Sequence, residues 1–244
     1  MYSVVVTETY AWTDDYSRLA TAVGLLPRAS FVEDASGGRP LAGPFMQLGF
    51  AAAQSISGLR YLRAISVLGI ALLAAMLAVH IKSLGVDSGP ALLFAVSAVL
   101  LPPFQLYAGW ATAYLFSWAC VLSLGAGLWW LHASSARMRV AGFAGLIAAN
   151  LVYQPAAFFV WSAAGIRLSL RLDDPGKARR EMTRLLVGTL ASAACALIVA
   201  QGVNAFFHID WKERSVFVSS WIESTSSFAF SIDGIRLYQP TSKR

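Results

Sequence analysis

Two adjacent carboxylates, Asp14 and Asp15, stand in "YAWTDDYSRLA" (10–20) among Tyr10, Trp12 and Tyr16, in a chain otherwise poor in charge. Neighbouring acids held among aromatic rings suit general-base work, the removal of a proton from a hydroxyl. The same residues also suit a helix start, with Thr13 or Asp14 capping and the second acid in the first turn. Arg18 follows at the spacing of a helix-face ion pair with Asp14 or Asp15. A divalent cation on the pair stays open, although two adjacent carboxylates alone are too few ligands to specify one, and no other cofactor is expected. His80, His132 and His208 are too far apart in sequence and topology to share a coordination sphere.

A second acidic pair serves as a control. Asp173 and Asp174 precede Pro175 in "RLDDPGKARREMTRLL", where proline suits a first helical position and the acids suit cap positions. That pair reads as structural, and "DPGK" lacks the glycine spacing of a phosphate loop.

The elements that must position Asp14 and Asp15 follow from composition. Of 244 residues, 57% are hydrophobic and 13% charged, with mean hydropathy +0.59, against roughly 25% charged in an ordinary soluble domain. The expectation is an all-α, polytopic membrane bundle with short proline-broken helices. A formal charge of +6 does not imply nucleic acid, because the basic residues cluster at the ends of apolar runs. Cys120 and Cys195 lie inside such runs and read as small packing residues.

The reading divides the chain into a loop over 1–61, a membrane domain over 62–207 and a tail over 208–244. The opening "MYSVVV" is too short to span, no signal peptide is legible, and the chain reads as a fragment or one with a mis-assigned start. The first span covers Leu62 to Ile81. A short segment then stops at Pro102-Pro103, and a long crossing follows from Gln105 to Leu131. A second short segment is broken at Pro155, and the last span begins at Leu185. The tail alternates around Val216 to Trp221 and Phe228 to Ile232, which reads as strands or as a plain loop.

Lys82, Arg137, Arg139, Arg167, Arg171, Lys177, Arg179, Arg180 and Arg184 gather in the loops on one side, which the positive-inside rule makes cytoplasmic. Asp14 and Asp15, both proline turns and the tail then share the opposite side.

On that side lies "EDASGGRPLAGPF", with Gly37 and Gly38 forming a turn before Arg39 and Pro40. A "DDY-R" element followed by "GRPL" before an apolar helix resembles the first external loop of the multi-pass GT-C glycosyltransferases, most of all the Gtr-type glucosyltransferases of O-antigen. With "LPPFQLYAGWATAY" and "VYQPAAFFVW" as later external turns, the resemblance runs from Tyr10 to Trp161. It implies transfer of a hexose such as glucose from a polyprenyl-phosphate donor to a surface polysaccharide, outside a bacterial cytoplasmic membrane. It also implies that Asp14 or Asp15 is the catalytic carboxylate. The family's helix before the acidic loop is lacking here, and fewer spans follow.

For such an enzyme Arg18 and Arg39 are candidates to grip the leaving phosphate, with the ion-pair role of Arg18 equally open. Gln105 and Gln154 are candidates to bind sugar hydroxyls or to cap loose backbone. Tyr107, Trp110 and Tyr114 either stack on sugar rings or anchor the interface, the commoner role. The rival readings are a transporter or flippase fragment, with its site at the broken helices, and an inactive accessory membrane subunit. The apolar segments carry no Asp, Glu, Lys or Arg at their centres, which favours a surface site.

Overall fold

The computed structural model describes residues 2–24, 30–170 and 175–210. They are helical throughout, with no strand among the described residues. The chain divides into two units, Met1–Ile209 and Asp210–Arg244. The second unit, with the expected tail strands, lies outside the described residues except for Asp210, as does the Asp173–Asp174 pair.

The segment read as a loop over 1–61 is built largely of short helices, one of them at the helix start offered by Thr13 and Asp14. Four helices occupy it: α1 (Ser3–Thr7), α2 (Thr13–Ala22), α3 (Ser30–Ser36) and α4 (Ala42–Ala53). The reason is a buried face. Leu19 of α2 with Met46 and Phe50 of α4 forms a core together with Leu59, Leu62 and Tyr114, so α2 and α4 are held by packing rather than by intrinsic propensity.

Helix α5 (Leu59–Ser83) begins slightly earlier than the apolar run suggests. At about 1.5 Å per residue it exceeds the roughly 30 Å of a hydrocarbon core. Next, α6 (Ser88–Val99) and α7 (Pro102–Gly109) form a bent pair with a 62° change of direction. The double proline starts α7 rather than ending all helix, because proline fits a first helical position. The long crossing therefore begins later than Gln105. Trp110 is extended (φ −104°, ψ 113°), a 3-10 turn covers Ala111–Ala113, and α8 runs Tyr114–His132.

The second expected break is present. Helix α9 (Ala136–Val152) ends at an extended Tyr153, Pro155 lies in the short α10 (Gln154–Ala157), and α11 (Val160–Leu170) follows. Helix α12 (Pro175–Phe206) starts on the proline expected there. Three helices are long and apolar enough to cross a membrane, or four if the bent pair makes one crossing.

The bundle core joins Ile70, Leu73 and Leu77 of α5 to Val99, Phe104, Cys120 and Leu124. Ser66 of α5 and Ser117 of α8, both buried, meet at 3.3 Å, the close approach of small residues usual between membrane helices. Cys120 is buried and Cys195 half-buried, and both are free thiols. Large apolar side chains such as Leu68, Val79, Leu93, Leu190 and Ile198 point outward, as a lipid-facing surface requires.

Candidate functional site

Three ties draw the chain's amino-terminal helices onto the ends of the bundle. The Tyr10 hydroxyl donates to the Gly109 carbonyl at 2.8 Å. The Gln154 amide donates to the Gly38 carbonyl at 2.7 Å. Phe31 meets Phe207 edge to face at 5.2 Å. The helices around the acidic motif, the end of α7, the turn at α10 and the end of α12 thus share one end of the unit. That is the convergence which the charge pattern predicts.

The acidic pair divides at this end. Asp15 is fully buried, and its Oδ1 accepts from both the backbone N–H (2.8 Å) and the hydroxyl (2.6 Å) of Thr112. Its Oδ2 accepts from the Trp12 backbone N–H at 3.1 Å, satisfying a donor that a helix start leaves open. Asp14 occupies the same first turn but is exposed, and its carboxylate has no hydrogen-bond or ion-pair partner among the described residues. One acid fastens α2 to the 3-10 turn. The other remains available.

The "SGGRPL" stretch folds for a local reason. Gly38 takes φ +77°, a left-handed conformation that glycine adopts without strain and that commonly ends a helix. The chain then doubles back, so the Arg39 N–H donates to the Asp34 carbonyl at 2.8 Å, while the Arg39 guanidinium pairs with the Asp34 carboxylate at 3.1 Å. Arg18 approaches the same carboxylate at 3.0 Å and Glu33 at 3.5 Å. The ion pairs of Arg18 thus run to α3, not along its own helix as its spacing suggests.

Asp34 is 1% exposed. Burial pushes its carboxyl above the ordinary 3.8, against the pull of Arg18 and Arg39 in the opposite direction. Burial likewise raises the Tyr10 phenol, which keeps it a neutral donor to Gly109.

Arg63 of α5 supports the motif from beneath. It is fully buried, donates to the carbonyls of Glu8 and Tyr10 at 2.8 Å each, and lies 4.0 Å from the centre of the Tyr10 ring. A buried guanidinium with several acceptors and an aromatic face fixes the backbone path into Asp14 and Asp15.

Between these parts lies a cavity of about 290 Å³, lined among others by Asp14, Arg18, Asp34, Arg39, Trp110 and Tyr153. At its wall the indole N–H of Trp110 and the Nε of Arg39 have no hydrogen-bond partner. Tyr153 stacks on Phe116 with centres 3.6 Å apart. The cavity offers an unengaged carboxylate, two guanidiniums and an aromatic wall, a set able to take up a proton and to hold an anion.

The other sequence candidates are placed as follows. Gln154 ties the second proline turn to the glycine turn. Gln105 is exposed and donates to the Leu100 carbonyl at 2.8 Å, the backbone-capping alternative. Tyr107 packs edge to face against Phe104 and Phe116 in the aromatic core. Trp110 reaches the cavity wall, whereas Tyr114 is buried with its hydroxyl on the Phe45 carbonyl. Among the described residues, no group of three or more His, Cys, Asp and Glu side chains gathers as a metal site.

Sequence reasoning missed Asp34, Thr112 and Arg63. Arg63 carried a signal, a lone charge just inside an apolar run. Asp34 and Thr112 carried none, since their importance arises only when distant segments meet.

The fold and the cavity define a helical protein with three or four helices long and apolar enough to cross a membrane and a polar site at one end of the bundle. Comparison with protein-family models, curated proteins and solved structures found no match.

Proposed function

We propose that this chain is a membrane glycosyltransferase of the GT-C type, moving a hexose such as glucose from a polyprenyl-phosphate donor to a surface polysaccharide. The site would face the extracytoplasmic side of a bacterial cytoplasmic membrane. The observation that carries the reading is the joint lining of one cavity by Asp14, Arg18, Arg39 and Trp110, residues from separate segments.

In this reading the acceptor hydroxyl oxygen attacks the anomeric carbon as its proton passes to Asp14. The bond from that carbon to the phosphate oxygen breaks, and the phosphate leaves with the electron pair. Arg39 and Arg18 supply positive charge where the phosphate charge grows, while Trp110 offers a face for the sugar. Asp15 is the positioning acid, because both its oxygens are already engaged. Gln154 acts by holding the Arg39 turn.

The test is transfer of labelled sugar from a polyprenyl-phosphate donor in membranes containing the protein. Loss of a general base predicts a fall of about 100-fold or more in Asp14→Asn. A loss confined to Asp15→Asn, with Asp14→Asn fully active, would remove Asp14 from the role of base. Undiminished transfer in both single variants and in the double variant would overturn the assignment.

A further inference from the structure

At the opposite end of the bundle, α9 and α12 leave an apolar groove of about 490 Å³, lined among others by Trp130, Arg139, Val140, Phe143, Val187 and Gly188. Its floor depends on Gly188, since a Cβ there would come within 2.6 Å of the Trp130 indole nitrogen. That nitrogen donates to the Arg184 carbonyl at 3.2 Å, so the polar edge of the ring is already engaged. Val140 and Val187 are 67% and 59% exposed, which leaves the groove open along its side.

The rim is basic. Arg139 lies in the first turn of α9, just beyond the end of α8 at His132, and its side chain is exposed with no partner among the described residues. Arg137 and Arg184 are also exposed on neighbouring turns. Glu181, the acid nearest in sequence on α12, is taken by Arg167 at 2.8 Å. An apolar slot running into a helix-end cluster of exposed arginines, unpaired among the described residues, matches one kind of molecule, a hydrocarbon chain that ends in negative charge. A second copy docked two-fold on this face would bring arginines against arginines.

We infer that this groove seats an acyl chain of an anionic phospholipid, with the headgroup phosphate on Arg139. The site is independent of the sugar-transfer reading, being at the other end of the helices.

The test uses the full chain in phosphatidylcholine nanodiscs containing equal mole fractions of either brominated phosphatidylglycerol or brominated phosphatidylcholine. Bromine on an acyl chain quenches nearby tryptophan. The chain has eight tryptophans, so the Trp130 share is taken as the difference from Trp130→Phe. That share should be quenched about twofold more by the anionic lipid, in keeping with electrostatic recruitment to a basic rim. The excess should vanish in Arg139→Gln, persist in Arg139→Lys, and fall in Ala191→Phe, which fills the groove from an exposed position. Equal quenching by the two lipids overturns the proposal, as does an excess that survives Arg139→Gln. Shielding of Trp130 from both lipids, together with a cross-linked dimer, would assign the groove to a second copy instead.

Discussion

At the acidic end Arg18, Asp34 and Arg63 are buried and bound to named partners, whereas at the other end Arg137, Arg139 and Arg184 stand exposed. Between the two extremes sits Arg167, partly buried and paired with Glu181 at 2.8 Å. Charge removed from water must be compensated by geometry, so the buried set fixes how α2, α3 and α5 meet. Exposed charge keeps its water and constrains little. It can set how helices lie relative to a membrane without fixing any one contact. The acidic end is therefore the more rigid, which suits the reaction proposed for it, and the basic end is the freer, which suits the lipid contact proposed there.

Removing the centre of the buried set should have the largest effect. Asp34→Ala removes the buried carboxylate that Arg18 and Arg39 share and should destabilise the unit by about 3 to 5 kcal/mol. The measurement is thermal unfolding in detergent beside Arg167→Ala, where a partly exposed pair should cost about 1 kcal/mol or less. Equal losses would erase the contrast between the ends. Next, Arg63→Met strands the carbonyls of Glu8 and Tyr10 and should cost about 3 kcal/mol. Limited proteolysis near Tyr10 would show whether the acidic motif loosens first.

These effects also mark where sequence reading stops. Apolar length alone gives the span at α5, and the prolines give both breaks, because hydrocarbon thickness and a missing N–H act locally. Of the helices before α5, α2 was legible as the cap alternative at Thr13 and Asp14, whereas α3 and α4 were not. All are short, and α2 and α4 share a core with Leu59, Leu62 and Tyr114 from far along the chain. Asp14 and Asp15 are indistinguishable by type, yet Thr112 separates them across 97 positions. Arg39 was legible through its glycine turn, but its partner Asp34 reads as one more surface acid until α3 folds against α2.

The two neighbouring acids sharpen the comparison within a single helical turn. Asp15→Ala removes the acceptor of three hydrogen bonds and should cost about 2 kcal/mol, chiefly from the stranded donors of Thr112 and Trp12. Asp14→Asn should leave the unfolding temperature unchanged, because the exposed carboxylate holds nothing in place. A variant that unfolds without reacting and one that stays folded without reacting would be told apart by running both assays on the same membranes.

Acidification should act on the buried end with a definite sign. The folded-state pKa of Asp34 is raised, so its contribution to stability is fully present below the unfolded value of 3.8 and is lost as pH rises through the folded value. Lowering the pH from neutral should therefore favour wild type relative to Asp34→Asn, read as a rise of the wild-type unfolding temperature relative to that of the variant. Protonation also leaves Arg18 and Arg39 less compensated, so phosphate should bind the cavity more tightly as pH falls, and Asp34→Asn should flatten that dependence.

The smallest expected effect tests the exposed end. Arg137→Ala removes a solvated side chain with no partner among the described residues and should change stability by no more than about 0.5 kcal/mol. Arg137, Arg139 and Arg184 act through summed charge at the helix ends, so replacing all three by glutamine should still leave the unfolding temperature nearly unchanged while altering how the chain inserts. Labelling of a cysteine placed at position 14, from each side of the membrane, reads that outcome. A fully inverted population in the triple variant would show that the exposed arginines orient the very end whose buried arginines hold it together.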